Sequence, residues 1–263
     1  MNSANNCHPW IQNLLHADVF PHPVKALQLI ETHISWIVLT GDFAYKVKKP
    51  LDLEFLDFST LALRKYYCEK ELVLNQRFSE GLYLEVVEIT GSGLDPRIDG
   101  DGEVFEYALR MRQFDNDLLL DNLASSGGLS VEITHRLAAL LARLHVQLPP
   151  AQETLSRLTA EQYFIAATQN FEQIQQYSLP DDIGIKLEKL KEWTRSTYQR
   201  HLPTMLSRQK EGFVKDCHGD CHLGNIVLVH NEVTLFDCLE FNDSLRLMDT
   251  IAESAFLSMD LCA

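Results

Sequence analysis

The spacing of apolar and polar positions changes character near residue 112. Before that point, short apolar and aromatic runs are separated by turn residues, which is typical of β-strands. The pattern predicts five strands, at residues 27–30, 35–39, 43–47, 82–89 and 104–111, and turns at 91–96 and 99–102. After the third strand, Ser59 is placed to cap a helix that runs to about Phe78. We therefore expect a sheet with one helix in the first part of the chain.

Helical periodicity dominates the chain from Asp117 on. Ser130 is placed to cap a helix over residues 131–146, whose leucines form one apolar stripe. Two further helical stretches are predicted at 159–177 and 181–208. The last predicted elements are two short strands at 226–229 and 233–236, joined by a turn at 230–232. A mainly helical region that carries one β-hairpin is therefore expected.

Three polar residues surround the predicted hairpin, all at loop or strand-end positions. Asp220 and Asn225 precede its first strand, and Asp237 follows its second. Phosphoryl transfer from ATP needs a carboxylate that orients the attacking hydroxyl and accepts its proton, together with oxygen ligands for Mg²⁺. The protein kinase catalytic loop has the same Asp-to-Asn spacing, followed by a hairpin and a metal-binding Asp. This set of residues is therefore suited to phosphoryl transfer.

The same loop offers a second interpretation. Cys217, His218, Cys221 and His222 could supply sulfur and nitrogen ligands to a zinc ion. A zinc site of this kind would not require Asn225 or the Asp that follows the hairpin. The residues alone leave zinc as an alternative.

The motif His218-Gly219-Asp220, with His222 and Asn225 behind it, resembles the catalytic loop of the aminoglycoside phosphotransferase and choline kinase-like superfamily. The resemblance implies ATP and Mg²⁺ as cofactors, Asp220 as the catalytic residue, and Asn225 and Asp237 as metal ligands. Cys238-Leu239-Glu240 stands where a protein kinase would continue with Phe-Gly.

The resemblance also implies a fold. It is an α+β, protein-kinase-like fold with two lobes. The N-terminal lobe, residues 1–112, would be an antiparallel sheet with one helix. The second lobe, residues 113–263, would be mainly helical and carry the catalytic hairpin.

A nucleotide-binding lysine is expected on the third strand. Phe43-Ala44-Tyr45-Lys46 matches the V-A-I-K strand of kinases, whose Lys holds ATP phosphates. Lys48 lies on the same strand face because side chains repeat every two residues. A solvated basic strand end is the alternative. In a kinase fold the following helix supplies a Glu partner for the Lys, and we expect Glu71, with Glu69 as the second candidate.

The nucleotide base is expected to bind where the fifth strand ends. Met111 and Gln113 are the candidates there, because the segment after the strand matches the kinase hinge, whose backbone groups bind adenine. No glycine-rich flap precedes the lysine strand. The flap over the phosphates would be either the turn at Thr32-His33 or the turn Thr40-Gly41-Asp42.

Segments 32–36, 45–50 and 240–261 resemble a particular branch of bacterial proteins. Their N-terminal half is aminoglycoside-phosphotransferase-like and their C-terminal half is a P-loop kinase. The chain contains no P-loop motif (G-x-x-x-x-G-K-S/T), so such a domain would be a partner outside it. We expect either a fragment or a short relative, truncated at the end of its helical lobe.

Composition narrows the classes of partner. The chain of 263 residues is 46% hydrophobic and 23% charged, and its formal net charge of -14 argues against a nucleic-acid partner. Its start is polar rather than signal-like, and no apolar run reaches the length of a membrane span. Its six cysteines are dispersed, which predicts reduced thiols. A cytoplasmic protein without a membrane partner is expected.

The motifs and the resemblance together predict ATP- and Mg²⁺-dependent phosphorylation of a hydroxyl group on a small molecule. The alternative is a non-catalytic kinase-like module that binds a nucleotide or a partner protein.

Overall fold

An antiparallel sheet forms the small lobe. The structure is a computed structural model that describes residues 9–53, 56–151 and 159–262. The strands of this lobe are β1 Gln28–Glu31, β2 Ser35–Leu39, β3 Phe43–Lys48, β4 Asp52–Leu53, β5 Leu56–Asp57, β6 Tyr83–Ser92, β7 Asp95–Ile98 and β8 Val104–Arg112. Strands β4 and β5 pair with each other, and the rest form one sheet in the order β1-β2-β3-β8-β6-β7. All five predicted strands are present.

Strand β7 lies where the sequence predicts only a turn. Strand β6 continues to Ser92, which pairs with Asp95, so the chain reverses through a two-residue loop. Pro96 is compatible with β7 because β7 is an edge strand, and the outer side of an edge needs no hydrogen-bond donor. The predicted turn is therefore present at residues 93–94, and the sequence missed only the strand that follows it.

The two faces of the sheet have different neighbours. Strand alternation sends Trp36 and Tyr45 to the outer face, where two 3₁₀ turns, Pro9–Leu14 and Ala17–Val19, cover them. Ile11 is fully buried in this layer. Because side chains alternate along a strand, Lys46 and Lys48 of β3 lie on the opposite face.

Helix α1, Leu61–Asn75, packs against the sheet. Its N-cap is Thr60, whose hydroxyl accepts a hydrogen bond from the Leu63 N–H at 3.2 Å. The prediction of Ser59 as the cap was wrong by one residue. Adjacent Ser and Thr offer the same capping chemistry, so the sequence cannot separate them.

The large lobe is mainly helical. Its helices are α2 Leu120–Ser125, α3 Val131–Gln147, α4 Thr159–Gln175, α5 Asp181–Lys210, α6 Asp243–Arg246 and α7 Thr250–Leu261. Ser130 caps α3 as predicted, accepting from the Ile133 N–H at 3.3 Å. Leucines of α3 join the core beneath the hairpin. Among the described helices, none is long and apolar enough to cross a membrane.

Four short strands support the predicted loop: β9 Val214–Asp216, β10 Ile226–Val229, β11 Glu232–Leu235 and β12 Leu247–Asp249. Strands β10 and β11 form the predicted hairpin, and Val229 pairs with Glu232. His230 and Asn231 form its loop with φ of 49° and 66°, which is a type I′ turn, one residue shorter than predicted. The Phe236 N–H donates to the Asn225 carbonyl at 3.0 Å, so the two open ends of the hairpin lie side by side.

Candidate active site

Lys46 lies at the inner face of the sheet against helix α1. Its ammonium group donates to Glu71 Oε1 at 2.8 Å, and the two residues are 7% and 0% exposed. Glu71 is thus the helix residue that contacts Lys46, whereas Glu69 is exposed. Burial disfavours the charged lysine, but Asp237 and Glu71 outweigh it and raise the pKa of Lys46 well above its ordinary value. Lys46 is therefore a buried, charged lysine and not a solvated strand end.

Lys48 forms a second buried ion pair on the same strand face. Its ammonium group contacts Glu71 Oε2 at 2.6 Å and also Glu240. The desolvation of Glu240, only 3% exposed, raises its pKa. Sequence reasoning did not identify Glu240, although it lies three residues after Asp237.

Asp237 follows the hairpin in a constrained conformation. Its φ of 61° is in the left-handed region, and its N–H donates to the Tyr83 hydroxyl at 2.9 Å. Its carboxylate accepts a hydrogen bond from Lys46. Burial disfavours ionisation, yet the Lys46 ammonium outweighs that effect and holds the pKa of Asp237 below its ordinary value. Asp237 is thus kept as a carboxylate beside the lysine.

Asp220 lies in the loop before the hairpin, with its side chain 44% exposed. The preceding residue, Gly219, has a φ of 85°, and a Cβ there would lie 2.9 Å from Arg246 Cγ. Only glycine fits this backbone without strain. Partial burial opposes ionisation of Asp220, but the nearby His222 imidazole lowers its pKa below the ordinary value.

Asn225 and His222 both face one oxygen of Asp220. The Asn225 amide nitrogen donates to Asp220 Oδ2 at 3.1 Å, and His222 Nε2 lies 3.6 Å from the same atom. His222 Nδ1 accepts from the Gly224 N–H at 3.1 Å, which directs Nε2 toward Asp220. No described residue hydrogen-bonds to Asp220 Oδ1, so that oxygen is available to a substrate hydroxyl.

The chemistry of these donors fits Mg²⁺. The Asn225 amide nitrogen is used by Asp220, which leaves the amide oxygen as its metal-binding atom. Asp237 provides a carboxylate whose side chain is 40% exposed. Amide and carboxylate oxygens are the hard ligands that Mg²⁺ prefers.

A cleft opens between the sheet and the hairpin. Apolar side chains form its walls, and Lys46 and Asp237 also line it. Met111 and Gln113 line the cleft too. The Gln113 side chain accepts from the Gly41 N–H at 2.8 Å, so its amide group is tied to a neighbouring turn. This bond uses only the side-chain oxygen, so the side-chain NH₂ of Gln113 could still contact a nucleotide base.

The two candidate flaps lie at opposite ends of the sheet. The Gln113 N–H donates to the Asp42 carbonyl at 3.0 Å, which fixes the turn 40–42 beside the hinge. In contrast, the Lys49 N–H donates to the Ile34 carbonyl at 2.8 Å. The turn 32–34 therefore lies at the strand end that carries the buried lysines, where a phosphate flap would be needed.

Glu253 of helix α7 anchors the loop from below. Its Oε1 accepts from the N–H groups of His218 at 2.7 Å and Gly219 at 3.0 Å, and its Oε2 pairs with His145 at 2.7 Å. Burial opposes its ionisation, but these hydrogen bonds hold the pKa of Glu253 below its ordinary value. Sequence reasoning missed this anchor.

The zinc alternative finds no support in this arrangement. The described residues contain one cluster of possible metal ligands, formed by His145, Cys217 and Glu253. The four loop residues do not form such a cluster. His218 Nε2 instead bonds to the Phe236 carbonyl at 2.9 Å. Glu253 is already satisfied by hydrogen bonds, so this trio is better described as a structural anchor.

Comparison with known proteins gives relatives by sequence. No protein-family model matches the chain. The uncharacterised proteins Rv2004c of Mycobacterium tuberculosis and Mb2027c of Mycobacterium bovis are each 31% identical over 247 residues, which is 91% of this chain and 47% of the relative. The chain thus spans about half the length of the curated relatives it matches.

Comparison by structure identifies the fold. The GDP and kanamycin complex of APH(2″)-IIia, an aminoglycoside phosphotransferase, superposes with a TM-score of 0.55 at 13% identity, over 95% of this chain and 78% of that chain. The chain has the protein-kinase-like fold of the aminoglycoside phosphotransferases. A choline/ethanolamine kinase family protein from Mesorhizobium loti gives a TM-score of 0.47 at 10% identity, over 90% of this chain and 64% of that chain. The predicted α+β, protein-kinase-like fold class is confirmed by the first of these similarities.

Proposed function

We propose that the chain is an ATP- and Mg²⁺-dependent phosphotransferase that acts on a hydroxyl group of a small molecule. One observation carries the proposal: Lys46, paired with Glu71, and Asp237 line one side of a cleft, while Asp220 and Asn225 lie at the hairpin end beside Asp237. A phosphate clamp, metal ligands and a base are the parts that phosphoryl transfer requires.

Asp220 is the proposed base. Its Oδ2 is held by Asn225, so Oδ1 accepts the proton from the acceptor hydroxyl as that oxygen attacks the γ-phosphorus. A bond forms between the hydroxyl oxygen and phosphorus, the bond to the β-phosphate oxygen breaks, and ADP leaves. Mg²⁺, held by Asn225 and Asp237, would neutralise phosphate charge.

Lys46 is the proposed phosphate clamp. Glu71 and Asp237 fix its ammonium group before any nucleotide arrives, so little reorganisation is needed when charge develops. Met111 and Gln113 would contact the nucleotide base at the other end of the cleft.

The acceptor is assigned only as a small-molecule hydroxyl compound. The structurally similar APH(2″)-IIia was solved with GDP and kanamycin, which supports a nucleotide-dependent transferase. Fold similarity does not carry substrate identity, so kanamycin is not assigned to this chain.

A P-loop kinase domain is the proposed protein partner, and the cytoplasm is the proposed compartment. The P-loop partner rests on the sequence resemblance to bacterial two-domain proteins. The cytoplasmic compartment is supported by the described cysteines, which carry free thiols.

The test has two stages. Thermal shift with MgATP, compared with ATP in EDTA, should show a larger rise in melting temperature with Mg²⁺. ADP release is then measured over a library of hydroxyl compounds. Nucleotide binding without transfer to any acceptor would favour a non-catalytic module. No nucleotide binding would contradict the phosphotransferase and leave only a module that binds a partner protein.

A further inference from the structure

A second lysine–carboxylate bridge lies directly behind the Lys46–Glu71 pair. Lys48 is 1% exposed, and its ammonium group contacts both Glu71 and Glu240. The Phe58 ring packs 4.8 Å from that ammonium group. Among the described residues that line the nucleotide cleft, neither Lys48 nor Glu240 appears. Any effect of these two residues on the cleft is therefore transmitted through their neighbours.

Glu71 is held from both sides. The Lys46 ammonium group donates to Glu71 Oε1 at 2.8 Å, and the Lys48 ammonium group donates to Glu71 Oε2 at 2.6 Å. Because Glu71 is fully buried, water does not replace a partner that is lost. Without Lys48, the Glu71 carboxylate would have no cation on Oε2, and its rotation toward or away from Lys46 would no longer be fixed.

Glu240 joins this pair to the segment that carries Asp237. Between them, the Cys238 N–H donates to Asn75 Oδ1 at 2.9 Å, which ties the segment to helix α1. The Asn75 amide nitrogen in turn donates to the Glu71 carbonyl at 2.9 Å. Strand β3, helix α1 and the Asp237 segment therefore meet around Lys48.

We propose that Lys48 and Glu240 are positioning residues for phosphoryl transfer. They fix Glu71 Oε1 against Lys46, and they hold Lys46 in place relative to Asp237. The inference rests on the proposed function, because its catalytic consequence needs Lys46 to clamp phosphate. A purely structural role would instead make the network a buried charge cluster that only stabilises the fold.

The double variant Lys48→Met/Glu240→Gln separates the two roles. Lys48→Met alone leaves two buried carboxylates short of a cation, so its melting temperature should fall sharply. The double variant removes one charge of each sign, so its melting temperature should recover toward that of the wild type. The matched control is Lys186→Met, because Lys186 is 73% exposed and pairs with Asp182 at 3.6 Å on the surface of helix α5.

Positioning predicts that the double variant stays about 10- to 100-fold below wild type in MgATP turnover despite its recovered stability. Its crystal structure should show Lys46 Nζ beyond hydrogen-bond distance from Glu71 Oε1. Turnover that recovers with the melting temperature, with that contact intact, would overturn the proposal. Lys186→Met should keep wild-type turnover.

Two outcomes need separate handling. If the wild type transfers no phosphate, the proposed function fails, and the Lys46–Glu71 contact in the double variant alone decides whether Lys48 and Glu240 position Lys46. If the double variant unfolds at the assay temperature, Glu240→Gln is used, because it keeps a polar partner for Lys48. A several-fold loss of turnover then supports positioning, and unchanged turnover contradicts it.

Discussion

The Asn225 side chain donates two hydrogen bonds to Asp220, one to the backbone carbonyl at 3.0 Å and one to the carboxylate at 3.1 Å. A single amide nitrogen therefore fixes both the backbone and the side chain of the proposed base. The Asn225 amide oxygen is left as a ligand for the proposed metal ion. The proposed metal binding and the proposed proton acceptance would thus be coupled through one residue.

Asn225→Ala should weaken Mg²⁺-dependent ATP binding by about tenfold or more. Loss of a residue that only hydrogen-bonds to a metal ligand already lowers metal affinity by about that factor. The physical reason is the removal of one oxygen ligand. Calorimetric titration of ATP with and without Mg²⁺ measures the effect. Asn170→Ala, on an exposed face of helix α4, is the matched control. Equal Mg²⁺ dependence in the variant and the wild type would refute the metal assignment.

Glu253→Ala should destabilise the fold. It leaves the buried N–H groups of His218 and Gly219 without an acceptor, at about 1–3 kcal/mol for each. Denaturant unfolding measures the loss. Ser258→Ala, an exposed position on the same helix, should change little. A free energy of unfolding equal to that of the wild type would show that Glu253 does not anchor the loop.

His222→Gln should move the acid limb of turnover to higher pH. Asp220 must be ionised to accept a proton, so activity is lost as pH falls through its pKa. His222 helps to lower the pKa of Asp220, so removing the imidazole raises that pKa. A pH–rate profile measures the shift, with His201→Gln on exposed helix α5 as the control. An acid limb that stays in place would contradict the pairing.

The contact between Asp220 and His222 should also make the stability of the fold depend on pH. The pKa of Asp220 is lowered by folding, so its contribution is present above the unfolded pKa and is lost as pH falls through the folded value. The pKa of His222 is raised, chiefly by Asp220, so its contribution is present below the unfolded pKa and is lost as pH rises through the folded value. Melting curves across pH should show both dependences flattened in His222→Gln, and unflattened curves would count against the pair.

Local spacing could predict much of the site. The interval between Asp220 and Asn225 belongs to one loop, and strand periodicity alone places Lys46 and Lys48 on one face. Helix periodicity brought Glu71 close to the buried face but could not choose between it and Glu69. That choice depends on how α1 is rotated against β3, which is a tertiary property.

The residues that sequence reasoning missed act across long separations. Glu253 lies 35 positions from His218 and meets it only because α7 packs beneath the loop. Glu240 meets Lys48 across 192 positions. A single sequence carries no periodic pattern that links such residues. Strand β7 was missed for a different reason, because the tolerance of Pro96 depends on an edge position that only the assembled sheet defines.

The proposed role of Asp220 is the centre of this account, and Asp220→Asn tests it most directly. The change keeps the shape of the side chain but removes its charge and basicity. Melting temperature, MgATP affinity and kcat are measured on one preparation. We predict a loss in kcat of about 10²–10⁴-fold with nearly unchanged MgATP affinity and melting temperature. A stable variant that transfers phosphate at the wild-type rate would contradict the catalytic role.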